Sequence, residues 1–273
     1  MLLSFLRQRR RNSLAVVAPF NELRRRPAGE SLRLRIDQIN EAIDYWIIGA
    51  IFSPVILGVL LALQPKTEPY RTATFFLAAA LLCLVVQGRL YPLLRKRNNC
   101  RLSYQGERYV AEELNRVLAN GFHIFNDVPF ERCNMDHVLV GPTGVFVIET
   151  KTKRKPLTKK QEKHREVIFD GTALEFPHCR DPRALERVRR NRDQLSRWLT
   201  SATADRICAE GILTIPGWSV VNVGNSDIYV VNPKQIRRLI LSCDRFRLSP
   251  AEVHRACYQL EQKCKLAADN VAL

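Results

Sequence analysis

A nearly uninterrupted apolar run over residues 43–63 limits how this chain can fold more than any other segment does. About 20 such residues are enough to cross the hydrocarbon core of a bilayer as a helix. A second apolar segment extends to about residue 92 if Arg89 reaches with its charged end towards the membrane surface, and Pro92 is expected to mark its end. We therefore predict two transmembrane helices, over about residues 43–63 and 73–92. The alternative is a buried helical hairpin within a soluble domain.

Basic residues flank both apolar segments, whereas the loop between them, QPKTEPYR, is short and contains two prolines. The short loop predicts an antiparallel hairpin whose two ends lie on the same side of the membrane. Because cytoplasmic segments carry an excess of Lys and Arg, we expect both ends in the cytoplasm of a bacterial-type inner-membrane protein. The flanking basic residues are Arg24, Arg25, Arg26, Arg33 and Arg35 before the first segment, and Arg95, Lys96, Arg97 and Arg101 after the second.

Changes in composition divide the chain into parts. Residues 1–40 are expected to form a basic N-terminal cytoplasmic segment, 41–94 the transmembrane hairpin, 95–102 a polar linker, and 103–273 a cytoplasmic α/β domain that ends in helices. The formal net charge of +16 suits anionic lipid headgroups and nucleic acid alike. The sequence contains neither a P-loop nor a glycine-rich dinucleotide motif, so an ATPase or redox function lacks support. Self-association into a homo-oligomer is left open.

Residues 135–151, MDHVLVGPTGVFVIETK, have the pattern of a β-hairpin, with turn residues between two runs rich in Val, Ile and Phe. Alternate side chains of a strand face the same side, so Glu149 and Lys151 share one face. If the Pro-Thr pair is a plain two-residue loop, Asp136 lies directly opposite Glu149. A type I turn with a Gly bulge would instead shift the register by one residue and turn Asp136 away.

The predicted opposition of two carboxylates indicates a metal site, because like charges across paired strands repel and a hard divalent cation offsets that repulsion. Asp136 and Glu149 are expected to hold Mg²⁺ or Mn²⁺, while Lys151 orients or deprotonates the attacking water. The alternative is an exposed hairpin with a surface ion pair. The continuous apolar run from Val145 to Ile148 is typical of a strand buried on both faces, and it favours the metal site.

A helix is predicted for the segment GERYVAEELNRVL, whose apolar residues at helical spacing are Val110, Leu114, Val117 and Leu118. Glu107 precedes Val110 by three residues on the same stripe and is expected to face the core. Such a carboxylate can hold the metal or position water. In the alternative, it lies at a helix start and interacts with the free N–H groups there.

The segments GERYVAEEL and NMDHVLVGPTGVFVIETKTK closely resemble the nuclease-related domain, NERD, of the PD-(D/E)xK superfamily, over roughly residues 105–232. The resemblance implies a restriction-endonuclease-like α/β fold, with a mixed sheet flanked by helices. It also implies Mg²⁺-dependent hydrolysis of phosphodiester bonds, with DNA as the expected substrate. It places the family's strand Asp on Asp136, its Glu-x-Lys pair on Glu149 and Lys151, and its first-helix Glu on Glu107.

The chain departs from this family in the helix that follows the core strands. The family tends to carry a Gln early in that helix, where the sequence reads DPRALERVRRNRDQL and the matching residues are Leu185, Glu186 and Arg187. Some superfamily members have lost catalysis. The second hypothesis is therefore a non-catalytic module that binds nucleic acid or a protein partner at the membrane.

Basic residues follow directly on the predicted catalytic strand. A basic rim beside a metal site is what the phosphates of a nucleic acid require, although a solvated loop has the same composition. The residues predicted to bind nucleic acid are Lys153, Arg154, Lys155, Lys159 and Lys160, together with Gln194 on the following helix.

Overall fold

The computed structural model describes residues 26–63, 71–130, 134–155 and 166–272. The chain divides into two compact units: of the described residues, those within 32–101 belong to the first, and those within 26–31 and 102–272 belong to the second. The second unit is therefore discontinuous in sequence. A short segment that precedes the apolar helices belongs to it.

Two long helices carry the apolar segments. Helix α1 spans Glu30–Leu63 and helix α2 spans Arg71–Leu114. Both are long and apolar enough to cross a membrane, by length and composition. Many large apolar side chains of these segments are exposed, as at Ile51 and Leu81, and extended exposed apolar surface is typical of contact with lipid or another protein rather than with water.

Helix α2 is longer than the sequence predicted. Pro92, which was expected to mark the end of the apolar helix, lies inside it, and residues 95–102, expected to be a linker, are helical. A proline removes one backbone donor without preventing its neighbours from continuing the helix, and Lys and Arg are good helix formers. Glu107 therefore lies within a continuous helix, and the alternative of a carboxylate at a helix start is wrong.

The second unit contains nine strands among the described residues. They are β1 (His123–Val128), β2 (Met135–Gly141), β3 (Gly144–Thr150), β4 (Glu166–Phe169), β5 (Leu174–Phe176), β6 (Cys179–Asp181), β7 (Ala209–Thr214), β8 (Ser219–Asn222) and β9 (Ile228–Val231). A mixed central sheet has the order β1-β2-β3-β7-β9, in which β1, β2 and β3 pair antiparallel and β3, β7 and β9 pair parallel. A second sheet has the order β6-β5-β4-β8.

Helices cover both faces of the central sheet, as an α/β fold requires. They are α3 (Ala184–Thr203), α4 (Pro233–Ser242) and α5 (Pro250–Ala272), and a 3₁₀ helix (Asn115–Asn120) follows α2. Val145 and Val147 of β3 pack with residues of α3 and α5, whereas Phe146 and Ile148 pack with residues of α2 and α4. The strand is therefore buried on both faces, as its apolar run predicted.

The 3₁₀ helix explains one error in the predicted apolar stripe. Val110, Leu114 and Val117 are buried as expected, but Leu118 is exposed. The α-helix ends at Leu114, and the tighter 3₁₀ winding then changes which side chains face the core.

The second sheet packs against the N-terminal part of α3 through its own apolar cluster, which includes Phe176 and Trp218. Their rings meet edge to face with centroids 5.2 Å apart. The Trp218 indole Nε1–H donates to the Lys153 carbonyl at 3.1 Å. The sheet therefore fixes the chain where it leaves β3, which is the segment after the predicted catalytic strand.

Candidate functional site

The β2–β3 hairpin brings Asp136 and Glu149 together at the end distant from its turn. Gly141 pairs with Gly144, and the pairing continues in register along both strands. The plain two-residue loop is therefore confirmed, and the bulged register is wrong. The same register places Asp136 across from Glu149, and both side chains are buried, with 6% and 3% of their surface exposed.

Two further buried acids, Glu107 and Asp127, interact electrostatically with this pair. Gly106 lets helix α2 approach the end of β3, because a Cβ on this residue would overlap Thr152 Cγ2. The register between β1 and β2 puts Asp127 opposite Asp136. Acidic side chains from one helix and three strands therefore converge at one end of the sheet.

The carboxylate of Asp127 is engaged by the segment around the start of α1. Ser31 donates to it from its backbone N–H at 2.8 Å and from its hydroxyl at 2.7 Å, and Arg26 forms an ion pair at 3.4 Å. Asn134 adds a further hydrogen bond at 2.9 Å. These contacts stabilise the left-handed backbone of Asp127, whose φ is 49°. Asp127 thus has a structural role beside the opposed pair.

Arg187 of α3 bridges the opposed carboxylates. Its Nη2 donates to Asp136 Oδ1 at 2.9 Å, and its Nε lies 2.7 Å from Glu149 Oε2. Nη2 also donates to the Asn134 carbonyl at 3.0 Å. A guanidinium presents several donors in a fixed plane, which suits two carboxylates at once. The repulsion expected between Asp136 and Glu149 is therefore offset by an arginine within the chain.

Asn191, four residues further along α3, donates from Nδ2 to Glu149 Oε1 at 2.6 Å and is fully buried. The sequence analysis missed this residue and selected Gln194, which is half-buried and forms no hydrogen bond with the acids among the described residues. The available signal was a polar residue within the apolar stripe of α3. That stripe contains Leu185, Val188, Leu195 and Leu199.

The ammonium of Lys151 does not join the carboxylate pair as predicted. It forms an ion pair with Asp181 at the end of β6, and none of its ion pairs within the described part of the chain involves Asp136 or Glu149. The Lys151 backbone N–H donates to the Thr214 carbonyl at 2.9 Å and so extends the β3–β7 pairing. No local sequence pattern pairs Asp181 with Lys151, because Asp181 lies in β6 and Lys151 directly follows β3.

Burial has the largest effect on the pKa values of the clustered acids. It raises the pKa of Glu107 to about 9, with a further contribution from the charge of Asp136. Burial and the neighbouring Asp136 raise the pKa of Glu149 to about 8, against the opposing effect of the Arg187 guanidinium. The negative charge of the cluster thus exceeds the positive charge that Arg187 brings, and the site favours a proton or an additional cation.

The donor chemistry of this site fits a hard divalent cation, because carboxylate oxygens are the ligands that Mg²⁺ and Mn²⁺ prefer. The geometry is not preformed for one. Among the described residues, no group of three or more His, Cys, Asp or Glu side chains is arranged to hold a metal ion. Arg187 contacts the same two carboxylates that were predicted to be ligands.

Of the basic residues predicted to bind nucleic acid, the structure describes only those that directly follow β3. Lys153 lies with its Nζ 5.2 Å from the ring centre of Phe176, and Lys155 lies 5.5 Å from that of Trp218. Arg154 is exposed. The predictions for Lys159 and Lys160 fall outside the described residues.

The fold is an α/β domain, and its β2–β3 hairpin carries the buried acid pair Asp136 and Glu149. Residues 102–216 match the family model described as NERD, the nuclease-related domain. The match suggests a nuclease-like function and implies interaction with nucleic acid. No curated protein and no solved structure gave a significant match to the chain.

Glu107→Gln is expected to reduce the loss of stability at high pH. Because the pKa of Glu107 is about 9 in the folded protein and 4.5 as its ordinary value, the folded protein keeps a proton that the unfolded chain loses between these values. The free energy of unfolding then falls as pH rises, by on the order of 1.4 kcal/mol per pH unit for one such group. Melting temperatures of the full chain in detergent micelles measure this dependence.

Glu112→Gln is the matched control, since Glu112 lies on the same helix with an exposed side chain. Its pH dependence should follow that of the wild type. Equal pH slopes for Glu107→Gln and the wild type would show that Glu107 does not carry the proton.

Proposed function

We propose that this protein is a membrane-anchored, metal-dependent nuclease whose NERD domain hydrolyses phosphodiester bonds, with DNA as the substrate. The observation that carries the proposal is the buried opposition of Asp136 and Glu149 on adjacent strands, within the stretch that matches the nuclease-related family. Burying two carboxylates face to face costs stability, so the arrangement is better explained by chemistry than by folding.

Asp136 and Glu149 are the proposed ligands of Mg²⁺ or Mn²⁺, with Glu107 as a third carboxylate beside them. The bound cation would polarise the phosphate and offset charge that develops on its oxygens. The Thr150 N–H holds Asp136 Oδ2 at 2.7 Å, and Asn191 holds Glu149 Oε1, so each carboxylate is oriented by a neutral donor.

Lys151 is the proposed group that orients the attacking water and stabilises developing negative charge. Its strand position, two residues after Glu149, supports this role. Asp181 binds the ammonium in this structure, and this contact must open or rotate before Lys151 meets a phosphate. Lys153, Arg154 and Lys155 then provide positive charge for the flanking phosphates.

The most direct test incubates the purified full chain with plasmid, linear and single-stranded DNA, with Mg²⁺ or Mn²⁺ and with a chelator. Cleavage is expected with the metal and not with the chelator. Asp136→Asn and Glu149→Gln should each abolish it while keeping side-chain size. Cleavage that persists in both variants would come from a contaminant or another site.

The exposed apolar helices and the basic residues around them support insertion as a two-helix hairpin in a bacterial inner membrane, with both ends cytoplasmic. Reporter fusions after Arg101 are expected to report a cytoplasmic location. Fusions near Thr67, which lies outside the described residues, are expected to report the opposite side of the membrane. A chain that remains fully soluble without detergent would show that the helices do not span a membrane.

A binding module without catalysis is the second candidate, and the bridging Arg187 favours it, since an arginine that permanently holds both carboxylates leaves no place for a metal. Such a module would bind nucleic acid or a protein partner at the membrane. Binding of DNA without any metal-dependent cleavage, unchanged by Asp136→Asn, would select this candidate.

A further inference from the structure

The two opposed carboxylates divide their oxygens between fixed donors and one arginine. Asp136 Oδ2 accepts from the Thr150 N–H, and Glu149 Oε1 accepts from Asn191. The other oxygens, Asp136 Oδ1 and Glu149 Oε2, contact Arg187 at 2.9 Å and 2.7 Å. A cation that takes both carboxylates as ligands is therefore expected to approach the oxygens that Arg187 holds.

The two α3 residues that contact the acids differ in their freedom to move. Asn191 is completely buried, so it stays with Glu149 unless the core opens. Arg187 lies in the first turn of the helix, and 48% of its side-chain surface is exposed. Its long side chain can swing into solvent without disturbing the core. Glu149 therefore has one neutral donor that stays in place, Asn191, and one positively charged donor that can move away, Arg187.

We propose that Arg187 is an internal cation that holds Asp136 and Glu149 and competes with a divalent metal for these two carboxylates. This inference rests on the proposed metal-dependent function. The guanidinium offsets the repulsion between the carboxylates and keeps them aligned, and it must release both before the metal binds. The apparent metal affinity is then lower than the carboxylates alone would give, because breaking the charge-assisted hydrogen bonds opposes binding.

Arg189 provides a matched control on the same helix. Its Nε donates to Asp227 Oδ1 at 2.8 Å, so it also forms an ion pair, but with an acid outside the cluster. Arg189→Ala removes the same charge and the same type of contact without touching Asp136 or Glu149. A difference between the two variants therefore reports on the position of Arg187 and not on net charge.

The test measures Mn²⁺ binding to the full chain in detergent micelles by electron paramagnetic resonance, which requires no activity. Arg187→Ala is expected to bind Mn²⁺ about tenfold or more tightly than the wild type, whereas Arg189→Ala should match the wild type. Arg187→Ala should also melt at a lower temperature without metal, and Mn²⁺ should raise its melting temperature more than that of the wild type.

Chemical modification tests the same idea in the unaltered protein, in case Arg187→Ala does not fold. The rate at which phenylglyoxal modifies Arg187 should rise when Mg²⁺ is added, because the metal frees the guanidinium, while the rate at Arg189 should not change. Arg187→Gln, which keeps a donor but removes the charge, should bind Mn²⁺ more tightly as well.

Two results would overturn the proposal, and they are distinguishable. In the first, the wild type binds Mn²⁺, both Arg187 variants bind it equally or more weakly, and the metal does not change the rate at which phenylglyoxal modifies Arg187. This result would show that Arg187 does not compete with the metal, and it would leave the metal-dependent function intact. If neither the wild type nor any variant binds Mn²⁺, both the metal-dependent function and the competition by Arg187 are excluded.

Discussion

Metal-dependent DNA cleavage by the full chain is expected to fall by about 10²- to 10³-fold when Lys151 is replaced with Ala. The substitution removes the ammonium proposed to meet the developing charge, yet it leaves Asp136, Glu149 and the hydrogen bond from Asn191 to Glu149 in place. Affinities for Mn²⁺ and for DNA should therefore stay close to those of the wild type. Single-turnover cleavage rates at saturating protein separate the chemical step from binding.

Lys265→Ala is the control for this prediction, because Lys265 is exposed on α5 and its loss removes the same charge from another part of the domain. Wild-type cleavage by the Lys151→Ala variant would exclude Lys151 from the chemistry. Loss of Mn²⁺ binding together with cleavage would instead show that Lys151 maintains the structure of the site.

Trp218→Ala is expected to lower the free energy of unfolding of the second unit by about 3–5 kcal/mol. The indole is almost completely buried between the second sheet and α3, with its ring against Phe176 and its N–H on the Lys153 carbonyl. Its removal leaves a cavity and an unsatisfied carbonyl. Denaturant titration of the full chain in detergent micelles, followed by circular dichroism, measures the loss.

Trp218→Phe separates the two contributions, since it keeps an aromatic ring in the cluster and loses the hydrogen bond. Its cost should be much smaller, at about 1 kcal/mol for the hydrogen bond plus a smaller packing loss. Equal destabilisation by Ala and Phe would show that the hydrogen bond to Lys153, and not the ring, stabilises the second sheet.

Local patterns predicted the central hairpin well. The apolar runs around Gly141 and Gly144 predicted both strands, whereas the register was left open between a plain two-residue loop and a Gly bulge, and the structure shows the plain loop. The β4–β5 hairpin has a comparable local signal, since its turn contains Asp170 and Gly171, residue types that favour tight turns. Strand β8 escaped prediction, because it is short and pairs with β4, a strand distant in sequence.

The site was predictable where its residues share a hairpin and not where they come from separate elements. Asp136 and Glu149 follow from the register of β2 and β3, whereas the contacts of Arg187 depend on how α3 packs across the sheet. Asp181 lies thirty positions after Lys151 along the chain and reaches it only through the second sheet. The charge and the periodicity of a segment do not indicate which residue from a distant element will contact it in the folded chain.

The contacts of Asp127 also bear on how this domain is synthesised and how a soluble fragment should be designed. Arg26 and Ser31 leave the ribosome before the apolar segments of α1 and α2, whereas Asp127 leaves after them, so the segment 26–31 has to wait for its partner until both helices have been synthesised. A fragment that begins at residue 103 would lose this segment and leave a buried carboxylate without these partners. Joining residues 26–31 to residue 102 through a short flexible linker would omit the apolar segments and retain the contacts of Asp127.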